Sequence, residues 1–286
     1  MKSLLTTGDR QLDLSTPVCM GILNVTPDSF ADGAELAKVD SDAFEVDLAR
    51  TLARAESMVS EGAQILDVGG ESTRPGASEI SVEEELQRVI PVIEALKANL
   101  DVCLSVDTSS PVVIKEAVAA GVHLVNDIRA LARDQALDVV STSNVAVCLM
   151  HMQGQPRTMQ QDFQYEDVLG EVYAFLSNRL QDCLAAGISK ERLLIDPGFG
   201  FGKSVDHNFT LLKHLRKFQD LQLPVLVGLS RKSMLGAVTD RSVDQRLAAS
   251  VAAATLALQG GALVIRSHDV GATVDAIRVY CACNEA

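Results

Sequence analysis

Residues 193–203 read LLIDPGFGFGK, an aliphatic run that meets Asp196 and then breaks into a proline and three alternating glycines. An apolar run without alternation predicts a strand buried on both faces, as the strands of parallel sheets are. An ionisable side chain at the end of such a strand is costly to bury unless it meets a partner. The glycines that follow allow the backbone to approach a ligand closely. Asp196 is therefore either a turn cap or part of a binding site, and recurrence of the pattern favours the second.

Eight short apolar runs, this one included, punctuate the chain. They are residues 18–23, 64–68, 102–106, 124–125, 145–150, 193–195, 225–227 and 263–265. The segments between them carry a helical period, as in residues 84–96 and 166–184. Strands that alternate with helices in this way predict an α/β fold, a single (β/α)8 TIM barrel, with a doubly wound open sheet as the alternative. Because no linker or charge block divides the chain, we interpret residues 1–286 as one domain, in which residues 1–15 form a short N-terminal hairpin or arm that closes the bottom of the barrel.

Composition limits the partners and the compartment. The 286 residues carry 38 acidic and 25 basic side chains, a net charge of -13. Nucleic acid and anionic membranes are therefore unsuitable partners, because both need clustered Lys and Arg. Residues 1–15 lack the pattern of a signal peptide, and the small-apolar run 247–258 is too short and alanine-rich to span a bilayer. The six cysteines form no CxxC pair, so we expect reduced thiols and a cytoplasmic protein.

Polar side chains follow each of the eight predicted strands. In chain order they are Asn24; Glu71, Ser72, Thr73 and Arg74; Asp107 and Thr108; Asn126 and Asp127; His151 and Gln153; Asp196; Ser230, Arg231 and Lys232; and Arg266, Ser267, His268 and Asp269. Barrel enzymes build their active sites from these carboxyl ends. Any one of these side chains could be a turn cap, but their presence at every end indicates a site.

One group of these residues suits a planar heterocycle. It consists of Asp107, Asn126, Asp196 and Lys232. A carboxylate accepts two parallel N–H donors, a carboxamide both donates and accepts, and the lysine donates to a carbonyl or a ring nitrogen. This combination matches an amino-pyrimidinone edge. The alternative is a buried structural network of aspartate and lysine.

A second group suits an anion and a metal ion. Its members are Arg266, His268 and Asn24, with Arg74 and Lys203 in nearby loops. Guanidinium and imidazole groups from one strand end can hold an anion, and an amide oxygen is a hard ligand for Mg2+. A surface salt-bridge cluster that includes Asp269 is the alternative. The glycines of residues 198–202 lack the spacing of a dinucleotide fingerprint.

Four motifs of this sequence resemble those of one known protein family. They are MGILNVTPDSF (residues 20–30), DVGGESTRPG (residues 67–76), DPGFGFGK (residues 196–203) and SRKS (residues 230–233). In this order, over about residues 12–280, the chain resembles the dihydropteroate synthase family of folate biosynthesis. The resemblance implies a (β/α)8 barrel, usually a homodimer, that joins 6-hydroxymethyl-7,8-dihydropterin diphosphate to 4-aminobenzoate. It also implies that Mg2+ is required and that diphosphate is the leaving group.

The resemblance further implies roles for individual residues. It assigns the pterin ring to Asp107, Asn126, Asp196 and Lys232, and the diphosphate to Thr73, Arg266 and His268, with Asn24 on Mg2+. It assigns the aminobenzoate pocket to Phe201, Pro75 and Ser230, closed by loops that contain Arg74 and Asp28. We expect Asp28 to orient the amine and to act in catalysis with Lys232, Arg266 and His268. The chain departs from the family pattern at Ala31, Ala34 and Ser267, and the first two can alter loop closure.

Three other interpretations have less support. Pterin-binding methyltransferases that pass a methyl group to a corrinoid share the barrel and the pterin-binding acids. They hold no diphosphate, so Arg231, Lys232, Arg266 and His268 argue against them. A catalytically silent paralogue that serves as a scaffold would not need the complete set of chemical residues, and a purely structural barrel would not need eight polar strand ends. The sequence therefore predicts dihydropteroate synthesis.

Overall fold

An antiparallel hairpin opens the described chain. The structure, a computed structural model, describes residues 4–26, 46–72, 80–154, 159 and 163–285. Strands β1 (Leu4–Thr7) and β2 (Arg10–Asp13) pair antiparallel, which confirms the predicted N-terminal hairpin. Their connection passes through Gly8 with φ of +58°, a left-handed conformation that glycine adopts without steric cost.

Eight further strands of the described chain form one parallel sheet. They are β3 (Val18–Asn24), β4 (Ile65–Gly69), β5 (Cys103–Asp107), β6 (Leu124–Asp127), β7 (Ala146–Met150), β8 (Leu193–Asp196), β9 (Leu226–Gly228) and β10 (Val264–Ser267). Their order is β8-β7-β6-β5-β4-β3-β10-β9. A parallel bridge between Ile195 and Val225 joins the two outer strands. The sheet therefore closes, which confirms the predicted (β/α)8 barrel over the doubly wound open sheet.

Helices connect the strands and cover the outside of the barrel. In the described residues they are α1 (Leu48–Ser60), α2 (Val82–Asn99), α3 (Pro111–Ala120), α4 (Ala136–Ser141), α5 (Val168–Ala185), α6 (Val205–Lys213), α7 (Ser233–Thr239), α8 (Leu247–Gln259) and α9 (Val270–Glu285). Side-chain caps start several of them: Asp47 accepts from the backbone of α1, and Ser81 from that of α2. Gly121, with φ of +96°, ends α3. None of the helices in the described part of the chain is long and apolar enough to cross a membrane.

The barrel interior changes from apolar to ionic along the strands. Its lower layer is the apolar cluster of Met20, Ile65, Cys103, Leu124, Cys148, Leu194, Leu226 and Val264, closed from below by Leu5 and Leu14. Side chains alternate between the two faces of a strand, so the residue two positions later also points inward. Those later positions hold Asp67 after Ile65, Asn126 after Leu124, Asp196 after Leu194 and Arg266 after Val264. The strand period itself therefore brings these charged and polar groups together above an apolar floor.

Candidate active site

Arg266 joins two carboxylates at the carboxyl end of the barrel. Its Nε lies 2.6 Å from Oδ2 of Asp67, and its Nη2 lies 2.7 Å from Oδ2 of Asp107. The amide Nδ2 of Asn126 donates to the same Asp67 oxygen at 3.1 Å. Asp67 is fully buried and the Arg266 side chain is 18% exposed. Charge-assisted hydrogen bonds of this length, largely shielded from water, fix the four groups relative to one another.

This network carries more carboxylates than cations. Burial raises the pKa of Asp107 to about 7, the Asp67 carboxylate adds to the shift, and the Arg266 guanidinium opposes it. One guanidinium cannot neutralise two buried carboxylates completely, so Asp107 holds a proton more tightly than an exposed aspartate does. A ligand that donates hydrogen bonds here would favour the ionised form of Asp107.

Two buried acceptor atoms in the network lack a partner within the described residues. They are Oδ1 of Asp67 and Oδ1 of Asn126. An unsatisfied buried acceptor costs about 1–3 kcal/mol, and such atoms are uncommon in folded proteins. Both side chains point into the barrel at its carboxyl end, where ligands of barrel enzymes bind. The arrangement fits a ligand that presents N–H donors.

Asp196 and Lys232 form the other side of the site. Oδ1 of Asp196 accepts from the backbone N–H of Gly198 at 2.7 Å, and burial raises the pKa of this carboxyl. Lys232 Nζ donates to the carbonyl oxygen of Phe199 and lies 4.6 Å from the centre of the Phe201 ring. Burial lowers the pKa of Lys232 to about 8, and the Asp196 carboxylate opposes that shift. Together they present an acidic group, a cation and an aromatic face, which suit a flat polar ring.

His268 lies next to Ser230 at the ends of neighbouring strands. Its Nδ1 is 3.1 Å from Ser230 Oγ, which also accepts the backbone N–H of His268 at 3.2 Å. Asp269 pairs with Arg231 through contacts of 3.0 and 2.5 Å. The alternative cluster of Asp269 with Arg266 is therefore wrong, because Arg266 turns inward to Asp67 and Asp107.

Asn24 ends β3 next to the same network. A Cβ on Gly69 would lie 3.0 Å from Oδ1 of Asn24 and 3.7 Å from Cβ of Asp107. Glycine at this position leaves the amide oxygen and the carboxylate open to the same space. No group of three His, Cys, Asp or Glu side chains in the described ranges could hold a metal ion. Mg2+ at Asn24 would take its other ligands from a bound anion and water, as Mg2+ commonly does.

Comparison with known proteins decides the family. The sequence profile of the family described as pterin binding enzyme matches residues 20–268. The dihydropteroate synthase of Haemophilus influenzae is 51% identical over 276 residues, covering 96% of this chain and 97% of the relative. The chain belongs to the dihydropteroate synthase family. Dihydropteroate synthases are transferases of folate biosynthesis, and the chain is a transferase of this kind.

Solved dihydropteroate synthases share the fold. The Yersinia pestis dihydropteroate synthase in a sulfonamide drug complex has a TM-score of 0.93 and 49% identity, over 99% of this chain and 100% of that chain. The Xanthomonas albilineans dihydropteroate synthase in complex with 7,8-dihydropteroate has a TM-score of 0.85 and 44% identity, over 99% of each chain. These likenesses extend over the whole barrel, including the strand ends described above.

Among the site residues that were predicted and that the structure describes, six lie in contact with one another in three pairs. The structure pairs Asp107 with Arg266, Lys232 with the segment that holds Phe201, and Ser230 with His268. It does not bring Lys203 to the anion group, because the Lys203 amine is buried against His151. Some predicted residues lie outside the described residues: Asp28, Ala31, Ala34, Thr73, Arg74 and Pro75.

Asp67 is the residue that the sequence prediction missed. It lies within β4 rather than after it, whereas the prediction counted only residues at strand ends. The signal was present: a single charged residue inside the apolar run 64–68 must meet a partner in the interior. In a dihydropteroate synthase site built around Arg266, Asp67 is the fully buried counter-ion.

Glu85 supports the start of the loop that follows β4. A Cβ on Gly70 would lie 3.2 Å from Cγ of Glu85 and 2.5 Å from Val89, so this glycine sits directly on α2. Arg88 Nη1 donates to the carbonyl of Gly70 at 2.9 Å. Burial raises the pKa of Glu85 to about 7, and the hydroxyl of Thr108 opposes the shift.

We expect Glu85→Gln to flatten the dependence of stability on pH. The folded state holds a proton on Glu85 up to about pH 7, whereas the unfolded chain loses it near 4.5. The free energy of unfolding should therefore fall as the pH rises through that window, with a contribution from this group of about 1–3 kcal/mol. Urea unfolding of both proteins at pH 5 and pH 7.5 measures the difference. An equal loss of stability in the two proteins would contradict a raised pKa at Glu85.

Proposed function

We propose that this chain condenses 6-hydroxymethyl-7,8-dihydropterin diphosphate with 4-aminobenzoate to form 7,8-dihydropteroate, at the carboxyl end of the barrel. The observation that carries the proposal is the inward layer of Asp67, Asn126, Asp196 and Arg266, with two buried acceptors that have no partner among the described residues. A pterin edge offers the N–H donors and the carbonyl that such a layer pairs with. Family membership supports the same assignment.

In this proposal the pterin ring lies between the two sides of the site. The Asp196 oxygen that does not accept from Gly198 takes ring and amino N–H groups, and Oδ1 of Asn126 takes another donor. Lys232 donates to the ring carbonyl or a ring nitrogen, for which its position beside Asp196 is suited. Asp107 binds the same edge of the pterin ring and keeps its hydrogen bond from Arg266.

Arg266 and His268 would hold the diphosphate. Arg266 has guanidinium donors beyond those that bind Asp67 and Asp107, and His268 lies two residues later, directly after the end of β10. Asn24 would hold Mg2+ with the diphosphate oxygens and water, and its amide oxygen fits that ion. Bound there, Mg2+ supplies Lewis-acid neutralisation of the leaving charge. Thr73 is the further diphosphate contact that we propose.

The arylamine would approach from the loop side of the site. Ser230 and Phe201, with Pro75, form its pocket, and the loops that carry Asp28 and Arg74 exclude water. The CH2–O bond breaks with its electron pair on the diphosphate, and the amine nitrogen forms the new C–N bond. The amine then loses one proton, which Asp28 is suited to accept while it orients the nucleophile.

We also propose that the chain works as a homodimer, as the family resemblance implies, and in the cytoplasm, to which its free cysteines are suited. Exposed apolar side chains on the outer helices include Val238 on α7 and Leu247 and Leu256 on α8. A second copy would remove such side chains from water. The net charge of -13 supports small-molecule substrates and no nucleic-acid or membrane partner.

The reaction itself tests the proposal. Incubation of the protein with the pterin diphosphate, 4-aminobenzoate and Mg2+ is expected to give dihydropteroate, and removal of Mg2+ with a chelator should abolish turnover. The loss is expected because the leaving charge is then left to Arg266 and His268 alone. Full turnover without Mg2+ would contradict the role of Asn24, and no product with Mg2+ would contradict the proposed function.

A further inference from the structure

We propose that Lys203 is a positioning residue, which holds the segment 198–202 so that Lys232 and Phe201 are placed correctly in the pterin site. The inference rests on the proposed function, because it treats Lys232 as a pterin-binding group. Lys203 would not touch substrate. It would act through the glycine-rich segment, for which the sequence suggested only closeness to a ligand.

The amine of Lys203 is fully engaged inside the protein. The residue is 2% exposed. Its Nζ lies 2.8 Å from the carbonyl oxygen of Gly198, 3.0 Å from that of Phe201 and 2.9 Å from Nδ1 of His151. Burial lowers the pKa of Lys203 well below its usual value, and the nearby Asp196 carboxylate opposes that shift. In its ammonium form the group has three donors, which match these three acceptors. Lys203 therefore ties both ends of the segment to each other and to the end of β7.

His151 can act as an acceptor over a wide pH range. Burial lowers the pKa of His151 to about 3, and the Lys203 cation adds to this effect. The ring therefore stays neutral, and Nδ1 keeps a lone pair for Lys203. Phe175 packs edge-on against the ring, with 4.9 Å between the ring centres. The acceptor is thus fixed in place by packing as well as by the hydrogen bond.

The backbone of the segment is pressed against the end of β7. Gly198 has φ of +72° and Gly202 has φ of +61°. A Cβ at Gly198 would collide with the carbonyl oxygen of His151, and one at Gly202 would collide with that of Gln153. Asn208 adds a second tether, because its Oδ1 accepts from the N–H of Gly200 at 2.7 Å. Lys203 thus closes a segment whose conformation only glycine at these positions permits.

The same segment, residues 198–202, also holds the side chain of Lys232 in place. The Lys232 amine donates to the carbonyl of Phe199 and lies over the Phe201 ring. A Cβ on Gly200 would lie 3.2 Å from Cδ of Lys232, so the side chain runs along the backbone of the segment. Release of the segment would remove these contacts together. Lys203 therefore controls the position of Lys232 without approaching the substrate.

The test compares Lys203→Met with a matched control, Arg192→Met. Arg192 is also a buried cation, 8% exposed, that donates to backbone carbonyls: its Nε to Val145 at 2.8 Å and its Nη2 to Val140 at 3.0 Å. It lies just before β8, at the opposite end of the barrel from the site. Both substitutions remove donors from buried carbonyls, and both should lower the melting temperature. A purely structural role predicts similar behaviour of the two variants in every other measurement.

The deciding measurement is calorimetric binding of the pterin diphosphate. We expect Lys203→Met to weaken binding at least tenfold and Arg192→Met to change it less than twofold. If Lys203→Met binds the pterin diphosphate as tightly as the unaltered protein does, the inference about Lys203 is overturned and the proposed function is not. If the unaltered protein does not bind the pterin diphosphate, both the proposed function and the inference are overturned. If Lys203→Met does not fold, Lys203→Arg replaces it, because a planar guanidinium cannot match the three acceptors. If Lys203→Arg binds the pterin diphosphate at least tenfold more weakly than the unaltered protein, the inference is supported, and a smaller change overturns it.

Discussion

Arg266→Met is expected to lower kcat/KM for the pterin diphosphate by about 10³-fold or more, the largest loss that we predict for a single substitution. The substitution removes the guanidinium that pairs with Asp67 and Asp107, and with it the proposed contact to the diphosphate. Removing one partner of a buried ion pair costs about 3–5 kcal/mol of stability, because the other charge remains without compensation. Steady-state rates and urea unfolding on the same preparation measure the two effects. Arg192→Met, at the far end of the barrel, serves as the control.

A double substitution separates the ion pair from the loss of packing. Adding Asp67→Asn to Arg266→Met removes one of the uncompensated carboxylates, so part of the lost stability should return. Activity should not return, because the proposed diphosphate contact remains absent. If Asp67→Asn destabilised the Arg266→Met protein as much as it destabilises the unaltered protein, the two residues would not be coupled in the way that their 2.6 Å contact indicates.

Asp196→Asn is expected to weaken pterin binding by about 1.5–3 kcal/mol, or roughly ten- to hundredfold. The backbone N–H of Gly198 donates to Oδ1 of Asp196 at 2.7 Å and would keep the amide oxygen of an asparagine in that position. The amide NH2 would then replace the oxygen that faces the ligand, so that donor would oppose donor. The substitution preserves shape and should change stability little.

Calorimetry with the pterin diphosphate measures this change. Asp206→Asn is a matched control, because Asp206 is an exposed aspartate on α6, which follows the same glycine segment. Pterin affinity of Asp196→Asn within twofold of the unaltered protein would contradict the role of Asp196 as an acceptor for the ring.

The barrel was predictable because two local patterns agree. Apolar runs such as residues 193–195 alternate with segments of helical period. Only a few folds can bury the apolar faces of strands and helices that alternate in this way. The polar strand ends were predictable for the same reason, since parallel strands bring their carboxyl ends to one face. Asp107 and Arg266, which are far apart in the sequence, meet on that face.

Asp67 and Lys203 required the structure. The importance of Asp67 depends on register, because Arg266 on β10 reaches past β3 to Asp67 on β4, and register is set by long-range pairing. Lys203 ends a glycine-rich segment, so the sequence prediction placed it near an anion. The left-handed backbone at Gly198 and Gly202 turns the segment back, and the amine then lies inside the protein. The local pattern marks Asp67 as a residue that needs a buried partner but does not identify that partner, and it does not indicate that the segment before Lys203 turns back.

The most direct measurement of the proposed function is the stoichiometry of the reaction catalysed by the unaltered protein. Labelled 4-aminobenzoate, the pterin diphosphate and Mg2+ are incubated with the protein, and dihydropteroate and free diphosphate are quantified over time. The proposed chemistry predicts one diphosphate released for each dihydropteroate formed, with both strongly reduced in Arg266→Met. Release of diphosphate without dihydropteroate, or no reaction, would contradict a site that brings the two substrates together on the strand ends of this barrel.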